Sequence, residues 1–315
     1  MRDFAYEGLH MKHFISIAER STEWLTQTLD AAARLKKELK STGRNAPIFA
    51  GKTAAMIFEK PSLRTRVSFT QAMQQCGGNA ITLTGDEVGL GKREPVKDVA
   101  RVLASMCDLI VARVFEHEKL LELRQHSAVP VINALSDYSH PCQAMSDMLT
   151  LKEHFGKITG LTLAYVGDGN NVARSLAVAC GKLGVRFVCA TPGGYELPAD
   201  DLDRVMAQVP EMDLQTTHDP KEAVRNADAI YTDTWTSMGQ EEEKQQRNKD
   251  FNGFQINSDL LSCAPSHARV LHCLPAYRDL EITDEVMEGP QSLVFQQAEN
   301  RLHYQKGLIA SLLGV

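Results

Sequence analysis

Short apolar runs of strand length alternate along this chain with segments whose apolar residues recur at helical spacing. In the first half, the pattern predicts strands at 54–58, 79–83, 109–113 and 131–134, and helices at 22–39, after Ser62 and at 96–106. Such alternation is typical of a parallel sheet covered by helices on both faces. The first half is therefore predicted to be a doubly wound α/β domain.

A second alternating series follows a helix predicted over 143–155. Its strands are predicted at 161–166, 185–190, 213–217, 229–232 and 269–271, and its helices at 172–183, 198–208 and 221–226. We therefore predict an α/β fold of two doubly wound domains with parallel sheets, joined by bridging helices. The predicted domains are 1–138 and 139–301, and the amphipathic C-terminal segment 302–315 is predicted to pack back on the first domain.

Length and charge narrow the class of protein. The 315 residues exceed one ordinary core, which agrees with two domains. A net charge of −6 argues against a general nucleic-acid binder, because a phosphate backbone requires a basic face. No apolar run approaches the ~20 residues of a membrane span, and the N-terminus lacks a signal-peptide core. The expectation is a soluble, intracellular, cytoplasmic protein without membrane or nucleic-acid partners.

The seven cysteines are odd in number and include no C-x-x-C pair. Most of them lie inside apolar segments, so reduced core thiols are expected, with Cys273 as the one exception.

The segment 58–69, F-E-K-P-S-L-R-T-R-V-S-F, places hydroxyls, guanidiniums and backbone N–H groups where a helix opens. Pro61 disfavours helix before it, so the helix is predicted to begin near Ser62. A helix N-terminus offers an anion unpaired N–H donors and the positive end of the macrodipole, and Arg64 and Arg66 add charge-assisted bonds. The alternative is an ordinary N-cap beside two surface arginines, but the density of donors favours a phosphate site.

Two glycine-containing loops also bear on function. The loop 84–94 is glycine-rich and charged, and a lid and a disordered surface loop explain it about equally well. The loop 167–172 follows a predicted strand as a dinucleotide fingerprint does, but Val172 replaces the third glycine and no acidic residue ends the next strand. A nicotinamide enzyme is therefore not expected. Amide and carboxylate groups in this loop suggest a polar ligand instead, from Asp168, Asn170 and Asn171.

Four further clusters follow predicted strands or open predicted helices: Arg113, 140–143, 233–239 and 272–275. Each cluster alone could be an ordinary loop or core segment. Open α/β sheets, however, bind ligands at the carboxyl ends of their strands, where these clusters are expected. Their coincidence predicts one shared cleft between the two domains.

The motifs closely resemble those of the ornithine carbamoyltransferases, within the wider carbamoyltransferase family, and the resemblance covers essentially the whole chain. S-x-R-T-R stands at 62–66, H-P-C-Q at 140–143, D-x-x-x-S-M-G at 233–239 and H-C-L-P at 272–275. The last two motifs distinguish ornithine enzymes from relatives that use aspartate. The resemblance implies transfer of the carbamoyl group of carbamoyl phosphate to the δ-amine of L-ornithine, giving L-citrulline and phosphate. It also implies arginine biosynthesis, a homotrimer with active sites near subunit interfaces, and no metal or organic cofactor.

The resemblance assigns the phosphate of carbamoyl phosphate to backbone and side-chain donors of four consecutive residues: Ser62, Leu63, Arg64 and Thr65. Arg113 and His140 would polarise the carbonyl as oxyanion donors, with Arg301 as a further contact by family analogy. Gln143 suits the carbamoyl NH2, because its amide oxygen can accept those hydrogens.

Ornithine must attack as a free amine, and at neutral pH that form costs roughly 4–5 kcal/mol from a reference pKa of ~10.4. The resemblance assigns the α-amino and α-carboxylate end to four residues of the second domain: Asn170, Asp233, Ser237 and Met238. Cys273 and the Leu274 carbonyl would contact the δ-amine. The role expected of Cys273 is orientation and proton handling, with a buried structural thiol as the alternative. No covalent intermediate is needed, because the departing phosphate can accept a proton.

Two positions depart from the family pattern. Leu63 stands where a threonine is common, so one hydroxyl is absent. Gly89 stands where many relatives carry a glutamine that reaches into a neighbouring subunit's site. Lys92 or Arg93 could replace that contact, and both otherwise read as solvated surface cations.

Two alternatives stay open at this point. One is a carbamoyltransferase for another amine, such as putrescine or an N-acylated ornithine. Asp233 argues against it, because a carboxylate aimed at a free α-ammonium gains nothing from an acylated or absent one. The other is a catalytically silent paralogue that regulates a partner, which the complete set of chemical positions disfavours.

Overall fold

The computed structural model describes residues 12–236 and 241–315, which form two compact units. The first unit runs to Leu149 and also includes Glu299–Val315, and the second is Thr150–Ala298. The sequence analysis divides the chain at 138/139 and 301/302 instead. The two boundaries between the units, at 149/150 and 298/299, lie inside long helices, so no turn marks either of them.

The first unit is built on a four-stranded parallel sheet. Its strands are β1 (Thr53–Phe58), β2 (Asn79–Thr84), β3 (Leu109–Arg113) and β4 (Val131–Leu135), in the order β2-β1-β3-β4. Its helices are α1 (Thr22–Thr42), α2 (Leu63–Gln75), α3 (Gly85–Val88), α4 (Val96–Met106), α5 (His117–His126) and the first part of α6 (Pro141–Phe155). Strands β1 and β3 are buried on both faces, which explains their continuous apolar runs.

The second unit is built on a five-stranded parallel sheet. Its strands are β5 (Thr162–Val166), β6 (Arg186–Ala190), β7 (Leu214–Thr217), β8 (Ala229–Thr232) and β9 (Arg269–His272), in the order β7-β6-β5-β8-β9. Its helices are α7 (Asn171–Leu183), α8 (Ala199–Gln208), α9 (Pro220–Val224), α10 (Lys244–Asp250), α11 (Ser258–Leu261), α12 (Asp284–Glu288) and the start of α13 (Val294–Leu313).

Polar side chains set the starts of the two helices that matter most for function. Ser62 caps α2, and its Oγ accepts the backbone N–H of Thr65 at 3.2 Å. Asn170 caps α7, and its Oδ1 accepts the N–H groups of Val172 at 2.9 Å and Ala173 at 3.1 Å. Such caps satisfy donors that have no partner inside a helix, so they define where each helix begins.

The predicted fold class is confirmed, and each predicted strand lies within one residue of its observed bounds. The helices α5, α10, α11 and α12 were not predicted, and α13 begins at Val294 rather than at 302. The loop 84–94 contains the short helix α3, which a capping box between Thr84 and Glu87 holds.

None of the helices in the described part of the chain is long and apolar enough to cross a membrane. All seven cysteines are free thiols. Cys76, Cys142, Cys180 and Cys189 are buried as expected, whereas Cys107 and Cys263 are only partly buried.

Candidate active site

The backbone N–H groups in the first turn of helix α2 are the main hydrogen-bond donors at this predicted phosphate site. Ser62 and Arg64 are half-buried, and Thr65 is completely buried. The Leu63 side chain is 73% exposed and has no hydrogen-bond donor, so the only donor of this residue is its backbone N–H. First-turn N–H groups have no partner inside the helix. Replacing a threonine by Leu63 therefore leaves the backbone donor in place.

Arg301 is brought to this helix start from the far end of the chain. Its Nη2 donates to Thr65 Oγ1 at 2.9 Å, and the side chain is 3% exposed. The two residues are 236 positions apart, so only folding places them together. Arg301 thus adds a guanidinium to the predicted phosphate loop.

His140 lies close enough to Arg301 and Arg113 for both charges to act on it. Arg113 ends strand β3 opposite Phe58 of β1, and its carbonyl accepts the N–H of Glu59 at 2.9 Å. His140 precedes helix α6 and is 4% exposed. Burial, reinforced by the charges of Arg301 and Arg113, holds the pKa of His140 well below its usual value. The imidazole is therefore neutral at pH 7 and offers a hydrogen-bond donor without carrying a charge.

Gln143 has a fixed orientation that the motif does not reveal. Its Nε2 donates to Asp147 Oδ1 at 2.8 Å, one helical turn later on α6. Its Oε1 is buried and has no hydrogen-bond partner among the described residues. The amide oxygen, which the predicted contact with a carbamoyl NH2 requires, is therefore the end left for a ligand. The spacing of four between Gln143 and Asp147 could have revealed this partner.

Lys60 was not predicted as a site residue. Its Nζ lies 4.4 Å from the centroid of the Phe115 ring, and the residue is only 7% exposed. Burial lowers the pKa of Lys60, and Arg113 lowers it further. The signal available in the sequence was its position two residues before Ser62.

Gly89 has a backbone conformation and a close neighbour that favour glycine. Its φ is +60°, and a Cβ there would lie 2.6 Å from the Cβ of Arg93. A glutamine at this position would strain the backbone and displace its neighbour. The Arg93 Nη1 donates at 3.4 Å to the carbonyl of Glu87 within the same loop.

The second unit collects three predicted residues at the carboxyl edge of its sheet. Asn170 follows β5, Asp233 follows β8 and Cys273 follows β9, and these strands are neighbours. Asn170 Nδ2 donates to Asp233 Oδ2 at 3.0 Å, and the Cys273 thiol donates to Asp233 Oδ1 at 2.9 Å. The Thr234 N–H also donates to Asp233 Oδ1, at 2.8 Å. Asp233 is thus the centre of the group, and its carboxylate is fixed from three directions.

His272 fixes the turn that carries Cys273. Its Nδ1 accepts the N–H of Leu274 at 2.9 Å, so Nε2 carries the ring proton and donates to Glu281 Oε1 at 3.2 Å. Leu274 has a φ of +58°, and the following bond to Pro275 is cis. Sequence reasoning gave no role to Glu281, which is completely buried and also accepts the N–H of Tyr277 at 2.6 Å.

Ser237 and Met238, predicted to bind the α-carboxylate end of ornithine, lie outside the described residues. The other predicted residues fall into two groups, one in each unit. The group Ser62, Leu63, Arg64, Thr65, Arg113, His140, Gln143 and Arg301 lies in the first unit, and Asn170, Asp233, Cys273 and Leu274 lie in the second. The shared cleft stays a prediction.

Among the described residues, Asp233, His272 and Cys273 have side-chain ligand atoms within 4.8 Å of one another. Both ring nitrogens of His272 are already engaged, one by Leu274 and one by Glu281. This group therefore does not fit a metal site.

Comparison with known proteins decides the family. The aspartate/ornithine carbamoyltransferase carbamoyl-P binding domain matches residues 12–153, and the corresponding Asp/Orn binding domain matches residues 159–312. The chain belongs to the aspartate/ornithine carbamoyltransferase family. The resemblance to this family, inferred from the motifs, is thereby confirmed. The Asp/Orn binding domain match extends past Ala298, where the second unit ends, into the C-terminal part of the first unit.

Relatives within the family are similar over almost their whole length. The ornithine carbamoyltransferase of Bacillus subtilis is 46% identical, with 99% of this chain and 97% of that protein aligned. That of Methanopyrus kandleri is also 46% identical, over 97% of this chain and 98% of its own. Among solved structures, ornithine carbamoyltransferase from Pyrococcus furiosus is 44% identical with a TM-score of 0.92, covering 96% of this chain and 97% of that one.

Proposed function

We propose that this carbamoyltransferase family member transfers the carbamoyl group of carbamoyl phosphate to the δ-amine of L-ornithine, giving L-citrulline and phosphate. The observation that carries the proposal is the group around Asp233, a carboxylate fixed beside Asn170 and Cys273 at a sheet edge. A carboxylate there suits the free α-ammonium of an amino acid. Relatives 46% identical over nearly the full chain are named ornithine carbamoyltransferases.

The start of helix α2 would bind the phosphate of the donor substrate. Ser62, Leu63, Arg64 and Thr65 supply first-turn N–H groups, hydroxyls and a guanidinium. The helix dipole adds a favourable field at the same place. The hydroxyl of Thr65 accepts a hydrogen bond from Arg301, and this guanidinium would be a second cationic contact for the substrate.

Arg113, His140 and Arg301 would donate hydrogen bonds to the carbonyl oxygen, which gains negative charge when the amine attacks. Donors placed before the reaction stabilise that charge without reorganising, and this contribution is usually the largest in acyl transfer. A neutral His140 donates without competing for the proton of the attacking amine. Gln143 Oε1 would accept the carbamoyl NH2 and so orient the carbonyl carbon.

Asp233 and Asn170 would bind the α-amino and α-carboxylate end of ornithine, together with the predicted contacts Ser237 and Met238. That binding aims the δ-nitrogen, in its uncharged form, at the carbonyl carbon. Cys273 and the Leu274 carbonyl would orient its hydrogens. The nitrogen forms a bond to carbon, the carbon–oxygen bond to phosphate breaks, and the released phosphate takes the proton that the nitrogen loses. Proximity and electrostatic stabilisation supply most of the rate.

The proposal includes a role in arginine biosynthesis, a cytoplasmic location and assembly as a homotrimer. Large exposed apolar side chains on the first unit support assembly: Leu63, Val67, Ile81, Val102 and Met106, between 46% and 75% exposed. Exposed apolar side chains are a common feature of surfaces that form interfaces.

A product assay tests the reaction. Purified protein with carbamoyl phosphate should form citrulline from ornithine, and it should act far more slowly on putrescine and on N-acetylornithine. Preference for putrescine or for the acylated amine would overturn the choice of acceptor. Absence of turnover with every amine would instead favour a catalytically silent paralogue.

A further inference from the structure

Arg247 is a buried cation of the second unit that the proposed chemistry does not use. It lies on helix α10 and is 6% exposed. Its Nη1 lies 3.2 Å from Asp168 Oδ2 and donates to the carbonyl of Trp235 at 3.0 Å, and its Nε donates to Glu243 Oε2 at 2.8 Å. One guanidinium therefore joins two other segments, at Asp168 and at Trp235, to helix α10.

Two of these segments carry proposed ornithine contacts. Asp168 lies two residues before Asn170, and Trp235 lies two residues after Asp233. The Asn170–Asp233 hydrogen bond of 3.0 Å requires the two segments to keep a fixed separation. Arg247 contacts the same two segments from a buried position, in addition to the pairing of strands β5 and β8. A rigid, planar fork with several donors suits such a task better than a flexible ammonium.

Aromatic packing restricts the guanidinium further. Its Cζ lies 4.9 Å from the centroid of the Tyr195 ring, and Tyr195 donates its hydroxyl hydrogen to Asp250 at 2.7 Å, on the same helix as Arg247. The Trp235 ring stacks on Phe251 with centroids 5.3 Å apart. The end of β8 and helix α10 are thus packed together around Arg247.

We propose that Arg247 is a positioning residue for the amino-acid acceptor, holding the Asp168 loop and the end of strand β8 so that Asp233 and Asn170 face the α-ammonium together. The inference rests on the proposed function, because it concerns the same acceptor. Asp168 then acts through Arg247, whereas the sequence analysis suggested that it reads a ligand directly.

A purely structural ion pair is the competing explanation, and the second unit contains a matched example. Arg174 of α7 forms an ion pair with Asp201 of α8, and both residues are at most 9% exposed. That pair joins helix α7 to helix α8, rather than the Asp168 loop to the end of β8. Its removal should cost stability without a specific effect on one substrate.

The ion pair with Asp168 also supplies a pH readout. Burial raises the pKa of Asp168 to about 6, although Arg247 opposes the shift, and the carboxylates of Asp233 and Glu243 raise it further. Two other titratable groups face this carboxyl: Tyr165, whose hydroxyl donates to the Asp168 carbonyl at 2.9 Å, and Cys189. Below about pH 6 the carboxyl takes a proton, and its attraction for Arg247 weakens.

Steady-state kinetics of Arg247→Met, Arg247→Lys and Arg174→Met test the proposal. We expect Arg247→Met to raise the KM for ornithine about tenfold or more, as for loss of a charge-assisted hydrogen bond. Arg247→Lys should raise it less, and the KM for carbamoyl phosphate should stay within about twofold in both. Arg174→Met should leave both KM values near wild type. Equal changes in both KM values, no change in either, or the same pattern in Arg174→Met would overturn the proposal. If Arg247→Met does not fold, Arg247→Lys decides by the same criterion.

A pH profile gives an independent second readout. For wild type, log(kcat/KM) for ornithine should fall with a slope of about one as pH decreases, because the free amine becomes scarcer, and should steepen below about pH 6. Asp168→Asn should lose the steeper limb. If Asp168→Asn keeps the steeper fall below about pH 6, the proposed role of the Asp168–Arg247 ion pair is wrong. Wild type that forms no citrulline would overturn the proposed function and this inference together, whereas active wild type with insensitive variants would overturn this inference alone.

Discussion

The side-chain amide of Gln143 has a donating NH2 group and an accepting oxygen. The hydrogen bond to Asp147 engages the NH2 group and leaves the oxygen for a ligand. The bond of 2.8 Å from Gln143 Nε2 to Asp147 Oδ1 leaves the oxygen unpartnered among the described residues. The H-P-C-Q motif could nominate Gln143, but it could not give the direction of its amide. On the acceptor side, Cys273 likewise has its direction set by Asp233, 40 residues away.

Removing the oxygen that holds Gln143 should weaken donor binding. We expect Asp147→Ala to raise the KM for carbamoyl phosphate roughly tenfold, because Gln143 can then turn its NH2 towards the substrate. Asp147→Asn keeps an acceptor oxygen and should stay close to wild type. Initial rates at varied carbamoyl phosphate concentration measure both, and equal KM values in the two variants would refute the proposed orientation.

Cys273 should affect the acceptor more than the donor. In Cys273→Ala, the thiol that contacts Asp233 at 2.9 Å is lost, so both the carboxylate and the δ-amine lose a partner. We expect kcat/KM for ornithine to fall by about tenfold or more, while binding of carbamoyl phosphate, measured by calorimetry, changes little. A larger loss in carbamoyl phosphate affinity than in kcat/KM for ornithine would contradict the assignment of Cys273 to the ornithine site.

Helix α13 has buried polar side chains, and some of their partners come from distant segments of the chain. Six of its polar residues are buried: Gln297, Asn300, Arg301, His303, Gln305 and Lys306. Because a buried polar face hides the usual amphipathic pattern, the sequence predicted the helix only from residue 302. Partners from distant segments compensate the burial, as Lys36 does for Asn300 and Asn45 for Lys306, both at 2.7 Å. The strands were easier to predict, since their apolar runs are local.

The burial of His303 in this helix predicts acid sensitivity. Burial, with help from Lys306, lowers the pKa of His303 to about 4. In the unfolded chain the pKa of His303 is near 6.5, so between about pH 6.5 and 4 the unfolded state binds a proton at His303 and the folded state does not. The free energy of unfolding therefore falls as pH decreases through that window. We expect His303 to contribute about 3 kcal/mol to this fall.

The check is urea unfolding of wild type and His303→Gln at pH 7 and pH 4.5. The free energy of unfolding of the variant should decline less on acidification, by about 2–3 kcal/mol. An identical decline in both proteins would show that His303 is not the titrating group.

The molecule as a whole consists of two parallel-sheet units, and α6 and α13 each contribute residues to both. The sequence predicted both sheets but divided the chain about ten residues earlier than the first change of unit, because a continuous helix carries no boundary signal. The exposed apolar side chains of the first unit also concern the whole molecule. They are exposed in the single chain, so only assembly with other chains would bury them.

A charge placed on that surface should disrupt assembly. We expect wild type to sediment at about three times the chain mass of 34.9 kDa and Met106→Glu to shift towards the monomer, because burying an unpaired carboxylate is costly. Met206→Glu, at an exposed position of the second unit, is the matched control and should leave the mass unchanged. A monomeric wild type, or dissociation by the control alone, would contradict the proposed homotrimer.

Local information in the chain was sufficient for the strands, for the helix start near Ser62, and for the motifs that indicate the family. These features depend on near neighbours, whose spacing is written directly in the sequence. Folding supplied four features: the pairing of Arg301 with Thr65, the direction of the Gln143 amide, the hydrogen bond from His272 to Glu281, and the contacts of Arg247 with Asp168 and Trp235. Arg301 and Thr65 are 236 positions apart, whereas Gln143 and Asp147 are four apart and His272 and Glu281 are nine apart. All of these contacts depend on burial and side-chain geometry, which the packing of the folded units creates.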